Sequence, residues 1–279
     1  MLRHVNRLRS AVYGIAIGDA LGLPVQFQSR DSYPEVTEMI KGELPWPAGT
    51  WSDDTSLTLA TVDSLLTCEG VDVPDMRARF MDWMDNGAYT QDGEAFDQGF
   101  TTVHALTHGR GCTNEQSNGN GSLMRILPLA FVKNLSDEQI AQVSGITHAH
   151  PLSVEACTVY VHAAQLILDG FSLTAALETA SLSSEIFSYL ADIGSKKRNE
   201  IRSTGYVKDS LEASFWYLLT TDNFRDALIR AVNLGDDTDT IGAITGGMAG
   251  LVYGMESVPD SWMNALRKKE IIERCLASQ

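Results

Sequence analysis

Two short segments far apart in the chain carry more oxygen side chains than ordinary structure needs. Ser52-Asp53-Asp54-Thr55 follows Trp51 and leads into the apolar run Leu57 to Leu66. Asp236-Asp237-Thr238-Asp239-Thr240 leads into the glycine-bearing apolar run Ile241 to Tyr253. Asp, Ser and Thr suit helix starts, where their side chains accept from free amides and their charge meets the positive end of the helix. One cap uses one or two acceptors, whereas each segment offers at least four oxygen side chains. Neighbouring carboxylates at the start of a buried helix repel unless a cation neutralises them. An all-oxygen set, without cysteine or a placed histidine, suits Mg²⁺, Mn²⁺ or Ca²⁺ rather than zinc. If the two segments converge, their aspartates can hold two cations.

A third polar segment, Ser117-Asn118-Gly119-Asn120-Gly121-Ser122, precedes a run from Leu123 to Val132 that reads as helical. Backbone amides at such a start can face an anion such as a phosphate; a plain flexible turn fits the segment equally. Other signatures fail. Asp237, Asp239 and Gly242 imitate an EF-hand loop, but Met248 stands where a bidentate acid is required. His104 and His108 have helical spacing without the glutamate of a zinc-protease helix. Gly119-Asn120-Gly121 lacks both a preceding strand and the third glycine of a dinucleotide fingerprint, since Met124 takes that place. There is no P-loop and no G-x-S-x-G elbow.

Ligands of this kind must be carried on rigid elements, and the pattern along the chain is helical. Val154 to Leu168 places Val154, Cys157 and Val161 on one face, with Pro151 and Ser153 near its start. Asn223 to Leu234, with Asp222 as its cap, puts Phe224, Leu228 and Val232 on one stripe. Leu211 to Leu219 and Ser261 to Leu276 also read as helices, and alternating strand patterns are scarce. These features predict an all-α chain. Gly14, Gly18 and Gly22 recur every four positions, as do Gly242, Gly246, Gly250 and Gly254. On a helix this lines one face with glycine and lets another backbone approach closely, at about 1 kcal/mol of helix propensity for each glycine. Two such helices, one near each end of the sequence, predict one shared core, so that 1–279 forms a single compact helical bundle. Gly42 to Gly49 and Gly109 to Gly121 read as loops, and Ser195 to Ser203 as a charged, solvated connector.

With 279 residues, 44% of them apolar and 20% charged, the chain can bury a substantial core and does not resemble a disordered one. A formal charge of −15 disfavours nucleic acid and anionic membranes as partners. It also leaves an anionic ligand dependent on a local positive site or a bound metal. Cys68, Cys112, Cys157 and Cys275 are scattered without a Cys-x-x-Cys pair, which fits a reducing cytoplasm better than a disulfide frame or structural zinc. Arg3, Arg7 and Arg9 ahead of Ala11 to Ile17 imitate a secretory signal, but Asp19 falls where its cleavage region would begin. No uninterrupted apolar run elsewhere approaches the length of a membrane span.

Taken in order, the segments resemble the ADP-ribosylglycohydrolase family, and the resemblance covers nearly the whole chain. It is carried by Gly18-Asp19-Ala20-Leu21-Gly22 with Pro24, Trp51-Ser52-Asp53-Asp54-Thr55 and Phe96-Asp97-Gln98-Gly99 with Thr101 and Thr102. It continues through Gly119-Asn120-Gly121-Ser122 with Met124-Arg125, and Thr147-His148 with His150-Pro151. Gly205-Tyr206-Val207 and Gly235-Asp236-Asp237-Thr238-Asp239-Thr240-Ile241 complete the series. Each motif alone is weak, but the ordered series is specific. The resemblance implies a compact all-α fold with two Mg²⁺ or Mn²⁺ ions at the base of a cleft. Ser52, Asp53, Asp54, Asp237, Asp239 and Thr240 would be ligands. Gly119, Asn120, Gly121, Ser122 and His148 would hold the diphosphate and distal ribose, Tyr206 would lie near the adenosine, and Asp97 is the candidate for catalysis.

Two positions depart from the family pattern. Gln26 stands where many members have a glutamate, and an amide cannot act as a general base. Asp236 stands where a glycine is common. The implied reaction is metal-dependent hydrolysis of an ADP-ribosyl N- or O-glycosidic bond, with an ADP-ribosylated protein or ADP-ribosyl small molecule as partner. Its transition state resembles an oxocarbenium ion. Two other readings fit parts of the sequence. Gln26 fits a catalytically silent ADP-ribose-binding module, and the metal ligands alone fit a dinuclear phosphohydrolase.

Overall fold

The computed structural model describes residues 2–42 and 45–277, and its regular elements are helices. In chain order they are α1 (Val5–Gly22), α2 (Asp53–Thr67), α3 (Val73–Asn86), α4 (Phe100–His108), α5 (Asp137–Ser144) and α6 (Pro151–Leu168). Then come α7 (Leu173–Leu182), α8 (Val207–Thr220), α9 (Phe224–Val232), α10 (Thr238–Tyr253), α11 (Asp260–Ala265) and α12 (Lys269–Leu276). Short 3-10 turns join several of them. The β-type pairs among the described residues are isolated bridges, such as Gly119 with Tyr206. The all-α expectation holds.

Glycine determines how α1 and α10 meet. A Cβ built on Gly14 would lie 2.0 Å from the carbonyl oxygen of Gly246, and one on Gly18 would lie 1.9 Å from that of Gly242. A Cβ on Gly22 would lie 2.3 Å from the carbonyl of Thr238, whose hydroxyl donates to the Gly22 carbonyl at 2.8 Å. The two helices therefore pack backbone to backbone, and any side chain at these positions would force them apart. Around this seam a single apolar cluster extends from Leu8 in α1 to Cys275 in α12, with Trp51, Trp83 and Trp262 fully buried in it. One core therefore serves both ends of the sequence, as the paired glycine patterns predict.

Several local expectations need correction. Ser261 to Leu276 is not one helix: α11 stops at Ala265 and α12 begins after Lys268, which has a left-handed φ of 51°. Between them the amide of Arg267 donates to the Gly49 carbonyl at 3.1 Å, so the break docks the loop ahead of α2. Leu123 to Val132 forms two 3-10 turns, Leu123–Arg125 and Leu127–Phe131, rather than an α-helix. Pro128 accounts for this, because it lacks an amide hydrogen and disfavours α geometry at the residue before it. The cap of α9 is Asn223, not Asp222, and its side chain accepts from the Asp226 amide at 2.9 Å. Connector 195–203 contains a 3-10 turn and buries Ile201 and Ser203, so it is only partly solvated. Of loop 42–49, residues 43 and 44 lie outside the described residues. Pro151–Leu168 is apolar and long enough to cross a membrane by composition, but 56% of it is buried within the fold, as in a core helix.

Candidate active site

Asp19 sits on α1 between Gly18 and Gly22, at the tightest part of the seam with α10. It is fully buried, and its carboxylate accepts from the Ser52 amide at 2.9 and 3.0 Å. It also accepts from the Thr55 amide at 3.1 Å and the Thr55 hydroxyl at 2.6 Å. A residue of α1 therefore satisfies the free amides at the start of α2, which locks the two helices in register. Ser52 is the N-cap of α2; it accepts from the Asp54 amide at 3.4 Å and donates to Asp54 Oδ2 at 3.0 Å. The Thr240 hydroxyl, in the first turn of α10, donates to the same Asp54 oxygen at 3.3 Å. The two aspartate segments thus meet, as expected.

Ligand oxygens of Asp19, Asp54 and Asp239 lie within 4.8 Å of one another. Asp54 Oδ1 and both carboxylate oxygens of Asp239 are buried without a hydrogen-bond partner. Burial raises all three carboxyls, Asp19 to about 7 and Asp54 and Asp239 well above the usual range, and the neighbouring aspartates push Asp54 and Asp239 further. Asp53 is also raised well above that range, by burial first and then by Asp54, Asp97, Asp19 and Asp237. Such a group is unfavourable as bare anions, and buried polar atoms left unpaired need a partner. A hard cation supplies it: the donors are all oxygen, and α2 and α10 both point their positive ends at the cluster. The site fits a metal ion.

Beside the cluster opens a cleft of about 240 Å³, lined by Asp53, Asp237 and Thr240 on one wall and by Asp97, Gly119, Asn120, Gly121 and His148 elsewhere. Asn120 ties the walls together, donating to Asp237 Oδ2 at 2.6 Å and to the Ser210 hydroxyl at 2.9 Å. Its amide donates to the Gly205 carbonyl at 3.0 Å, so the glycine loop is braced by the segment ahead of α8. Asp97, held at a left-handed φ of 57°, accepts from the Gln26 side-chain amide at 2.6 Å. The start of α4, from Gly99 to Thr102, completes the wall.

His148 is controlled from behind. Arg125 is fully buried and donates through Nη2 to the Thr147 hydroxyl at 2.8 Å; that oxygen lies 2.8 Å from His148 Nδ1. Thr147 accepts from arginine and keeps one hydrogen of its own; donated to Nδ1, it leaves the imidazole proton on Nε2. Nε2 lies beside the glycine loop, where a Cβ on Gly121 would come 2.8 Å from His148 Cε1. Burial, then the nearby Arg125 charge, lowers the histidine to about 3, so it faces the cleft as a neutral N–H donor.

Other expected residues fall differently. Ser122 does not line the cleft: it is buried, 3.4 Å from the Cys157 sulfur, and accepts from the Ser144 hydroxyl at 2.9 Å. Tyr206 is also outside the lining; it is 40% exposed and its backbone pairs with Gly119. Asp236 takes a left-handed φ of 61°, which explains why glycine suits this position, and its carboxylate accepts from Ser203 at 3.2 Å rather than facing the cleft. His104 and His108 stack on each other on α4, at 4.1 Å between rings. Asp19 was not among the ligands expected from sequence. Its signal was there: one acid flanked by glycines on an otherwise apolar helix face. A larger hollow of about 500 Å³ between Tyr33, Arg198 and Trp216 contains none of these groups.

The chain matches the ADP-ribosylglycohydrolase family over residues 2–279. It is 33% identical to an ADP-ribosylarginine hydrolase Tri1 of Serratia proteamaculans, covering 99% of this chain and 79% of that protein. It is 30% identical to an ADP-ribosyl-[dinitrogen reductase] glycohydrolase of Rhodospirillum rubrum, covering 98% and 94%. The solved structure of an ADP-ribosylglycohydrolase-related protein complex superposes with a TM-score of 0.82 at 29% identity, over 98% of this chain and 96% of that one. With the ordered motifs, the acidic cluster and the glycine-loop cleft in one fold, the chain belongs to the ADP-ribosylglycohydrolase family, enzymes that hydrolyse ADP-ribosyl glycosidic bonds.

Proposed function

We propose that this chain releases ADP-ribose from a modified arginine side chain, in the cytoplasm, with two Mg²⁺ or Mn²⁺ ions held by the aspartate cluster. The observation that carries the reading is the set of buried, unpartnered carboxylate oxygens on Asp54 and Asp239 beside a cleft that also presents Asp97 and the glycine loop. Asp19, Asp54 and Asp239 form the core of the ligand set, with Asp53, Asp237, Ser52 and Thr240 around it. Bound there, two divalent cations would supply positive charge for orienting ribose hydroxyls and for acidifying a water. Arginine as acceptor is supported by the two relatives named ADP-ribosylarginine hydrolases, at 33% and 31% identity. Cys68, Cys112, Cys157 and Cys275 are all free thiols, which supports a reducing compartment.

In the reaction, the bond from the ribose anomeric carbon to the guanidine nitrogen breaks and a bond to water oxygen forms. Water gives up one proton, and the leaving nitrogen takes one. Asp97 is the carboxylate placed to offset positive charge at the anomeric carbon or to hold the moving proton. Gly119, Gly121 and the Nε2–H of His148 face the cleft as groups for the diphosphate, while Asn120, whose N–H groups are bonded to Ser210, Asp237 and Gly205, keeps only its side-chain oxygen to accept from a ribose hydroxyl. Purified protein with Mn²⁺ and an ADP-ribosylarginine peptide tests the reading when the products are resolved. Free ADP-ribose is expected. Release of AMP would identify a phosphohydrolase instead, and tight binding without turnover would identify a silent module.

A further inference from the structure

A diphosphate in the cleft meets an electrostatic problem that the lining alone does not solve. The chain carries a formal charge of −15, and Asp53, Asp97 and Asp237 stand in the cleft wall. No lysine or arginine is among the described residues that line the cleft, and its histidine is neutral. A fixed positive charge lies one step behind the wall, on Arg125. This residue ends the 3-10 turn that follows the glycine loop, and the Met124 amide ties the turn back to the Asn120 carbonyl at 3.0 Å. The Arg125 side chain is fully buried, with its guanidinium carbon 4.4 Å from the centre of the Phe80 ring. Nη2 donates to the Thr147 hydroxyl and, at 3.3 Å, to the Val143 carbonyl. Nε and Nη1 have no hydrogen-bond partner, and among the described residues no carboxylate forms an ion pair with the group. Burial lowers its pKa to about 10, which leaves it a cation at neutral pH.

We infer that Arg125 is a positioning residue for the diphosphate: its buried charge, set behind Thr147 and His148, attracts the anion to the glycine loop without touching it. The inference rests on the hydrolase reading above, in which the diphosphate lies against Gly119, Gly121 and His148. A buried charge without a counter-charge is costly, and an apolar side chain of similar volume would fill the space at less expense to stability. Enclosed in protein, the charge is screened less by water and salt than an exposed one, so it acts across the two hydrogen bonds that link it to the imidazole. After burial, the Arg125 charge is what lowers His148, so its field reaches the cleft wall. The wall thus divides two tasks: His148 offers a neutral N–H at contact distance, and Arg125 supplies the charge. An arginine placed in the cleft itself would pair with Asp53, Asp97 or Asp237 and compete with the metal for them.

Two neutral variants, Arg125→Met and Arg125→Gln, and the charge-retaining Arg125→Lys test it in the presence of Mn²⁺. Calorimetry gives the affinity of each for ADP-ribose and for adenosine, the uncharged part of the same ligand, and an ADP-ribosylarginine peptide gives KM and kcat. The neutral variants should bind ADP-ribose about 10- to 100-fold more weakly, the worth of charge interactions over several ångströms inside a protein. Adenosine affinity should stay within about twofold, and KM should rise with far less change in kcat, since the diphosphate is remote from the bond that breaks. Their melting shift on adding Mn²⁺ should match the parent's, which shows the acidic cluster intact. Arg125→Lys should keep most of the ADP-ribose affinity. An unchanged ADP-ribose affinity in the neutral variants, or an equal loss for ADP-ribose and adenosine, overturns the role of the charge and leaves the hydrolase reading standing. So does failure of both neutral variants to fold, which would make Arg125 a structural residue. A parent that neither binds ADP-ribose nor releases it from the peptide overturns both.

Discussion

The Gln26 side-chain amide donates to Asp97 Oδ2 at 2.6 Å, joining the residue that departs from the family pattern to the candidate catalytic carboxylate. Gln26 cannot supply a base, so its place in the site is as a donor that fixes Asp97. Asp97→Asn should lower turnover about 10²- to 10⁴-fold, the usual span for a proton-transfer group, with ADP-ribose affinity much less affected. Single-turnover kinetics beside calorimetry separates the two quantities, and full activity in the variant would remove Asp97 from the mechanism. Gln26→Glu should keep the fold while changing the ratio of kcat/KM between arginine and serine peptides. An unchanged ratio would mean that Gln26 has no part in acceptor choice.

Asp239→Asn should abolish hydrolysis and still fold. Both Asp239 carboxylate oxygens are buried without partners, and burial together with Asp237 and Asp54 disfavours their charge. The substitution removes a carboxyl that its buried surroundings disfavour as an anion, so the metal-free variant should melt no lower than the metal-free parent. Metal binding stabilises by mass action, and the variant should gain less from added Mn²⁺. A melting shift equal to the parent's would exclude Asp239 as a ligand.

Metal-free protein should lose stability as pH rises. Asp19, Asp53, Asp54 and Asp239 all have raised carboxyl pKa values in the fold, Asp19 about 7. Between the ordinary aspartate value, about 4, and these raised values, the folded chain binds more protons than the unfolded one, so stability falls with pH. Melting temperatures measured in chelator should decline from about pH 4 through pH 7 and above, and Mg²⁺ or Mn²⁺ should flatten the decline. A chelated protein that becomes steadily more stable over that interval would contradict the buried, unneutralised cluster.

Thr147→Val should weaken the cleft from behind. The methyl group cannot accept from Arg125 or donate to His148, and an unsatisfied buried donor costs about 1–3 kcal/mol. Melting should fall accordingly, and nitrogen-15 NMR of the parent should show His148 neutral with its proton on Nε2. Because burial, reinforced by Arg125, keeps the imidazole at about 3, ADP-ribose binding should show no step from His148 between pH 5 and pH 8. A parent histidine protonated on Nδ1 would break the assigned relay.

The sequence made the helical class and the convergence of the two aspartate segments legible, because both rest on periodicity and on local surplus. The glycine repeats announced the α1–α10 seam for the same reason: close backbone approach leaves a regular trace every four residues. What was not legible depends on how loops turn. Ser122 belongs to the glycine loop by sequence, yet it faces the Cys157–Ser144 interior rather than the cleft. Phe27 and Phe100 line the cleft from an irregular segment and a helix start, where aromatic residues follow no period. The Ser261 to Leu276 pattern is amphipathic throughout, and the break that divides it goes with tertiary bonds between Arg267 and Gly49, Thr50, Gln91 and Asp92 that periodicity does not show.

The α1–α10 seam also bears on how the chain is made. Gly22 and Thr238 are bonded across 216 residues, and the glycine face of α1 packs against α10 at Gly14, Gly18 and Gly22 alike. Synthesis from the N-terminus therefore produces this face long before its complement leaves the ribosome. A contact of such sequence separation carries a large loop-closure cost and forms late. The acidic cluster, which needs α1, α2 and α10 together, cannot assemble until most of the chain exists. A nascent chain stopped ahead of Asp237 should thus bind no metal tightly and should expose an apolar, glycine-ridged helix to chaperones.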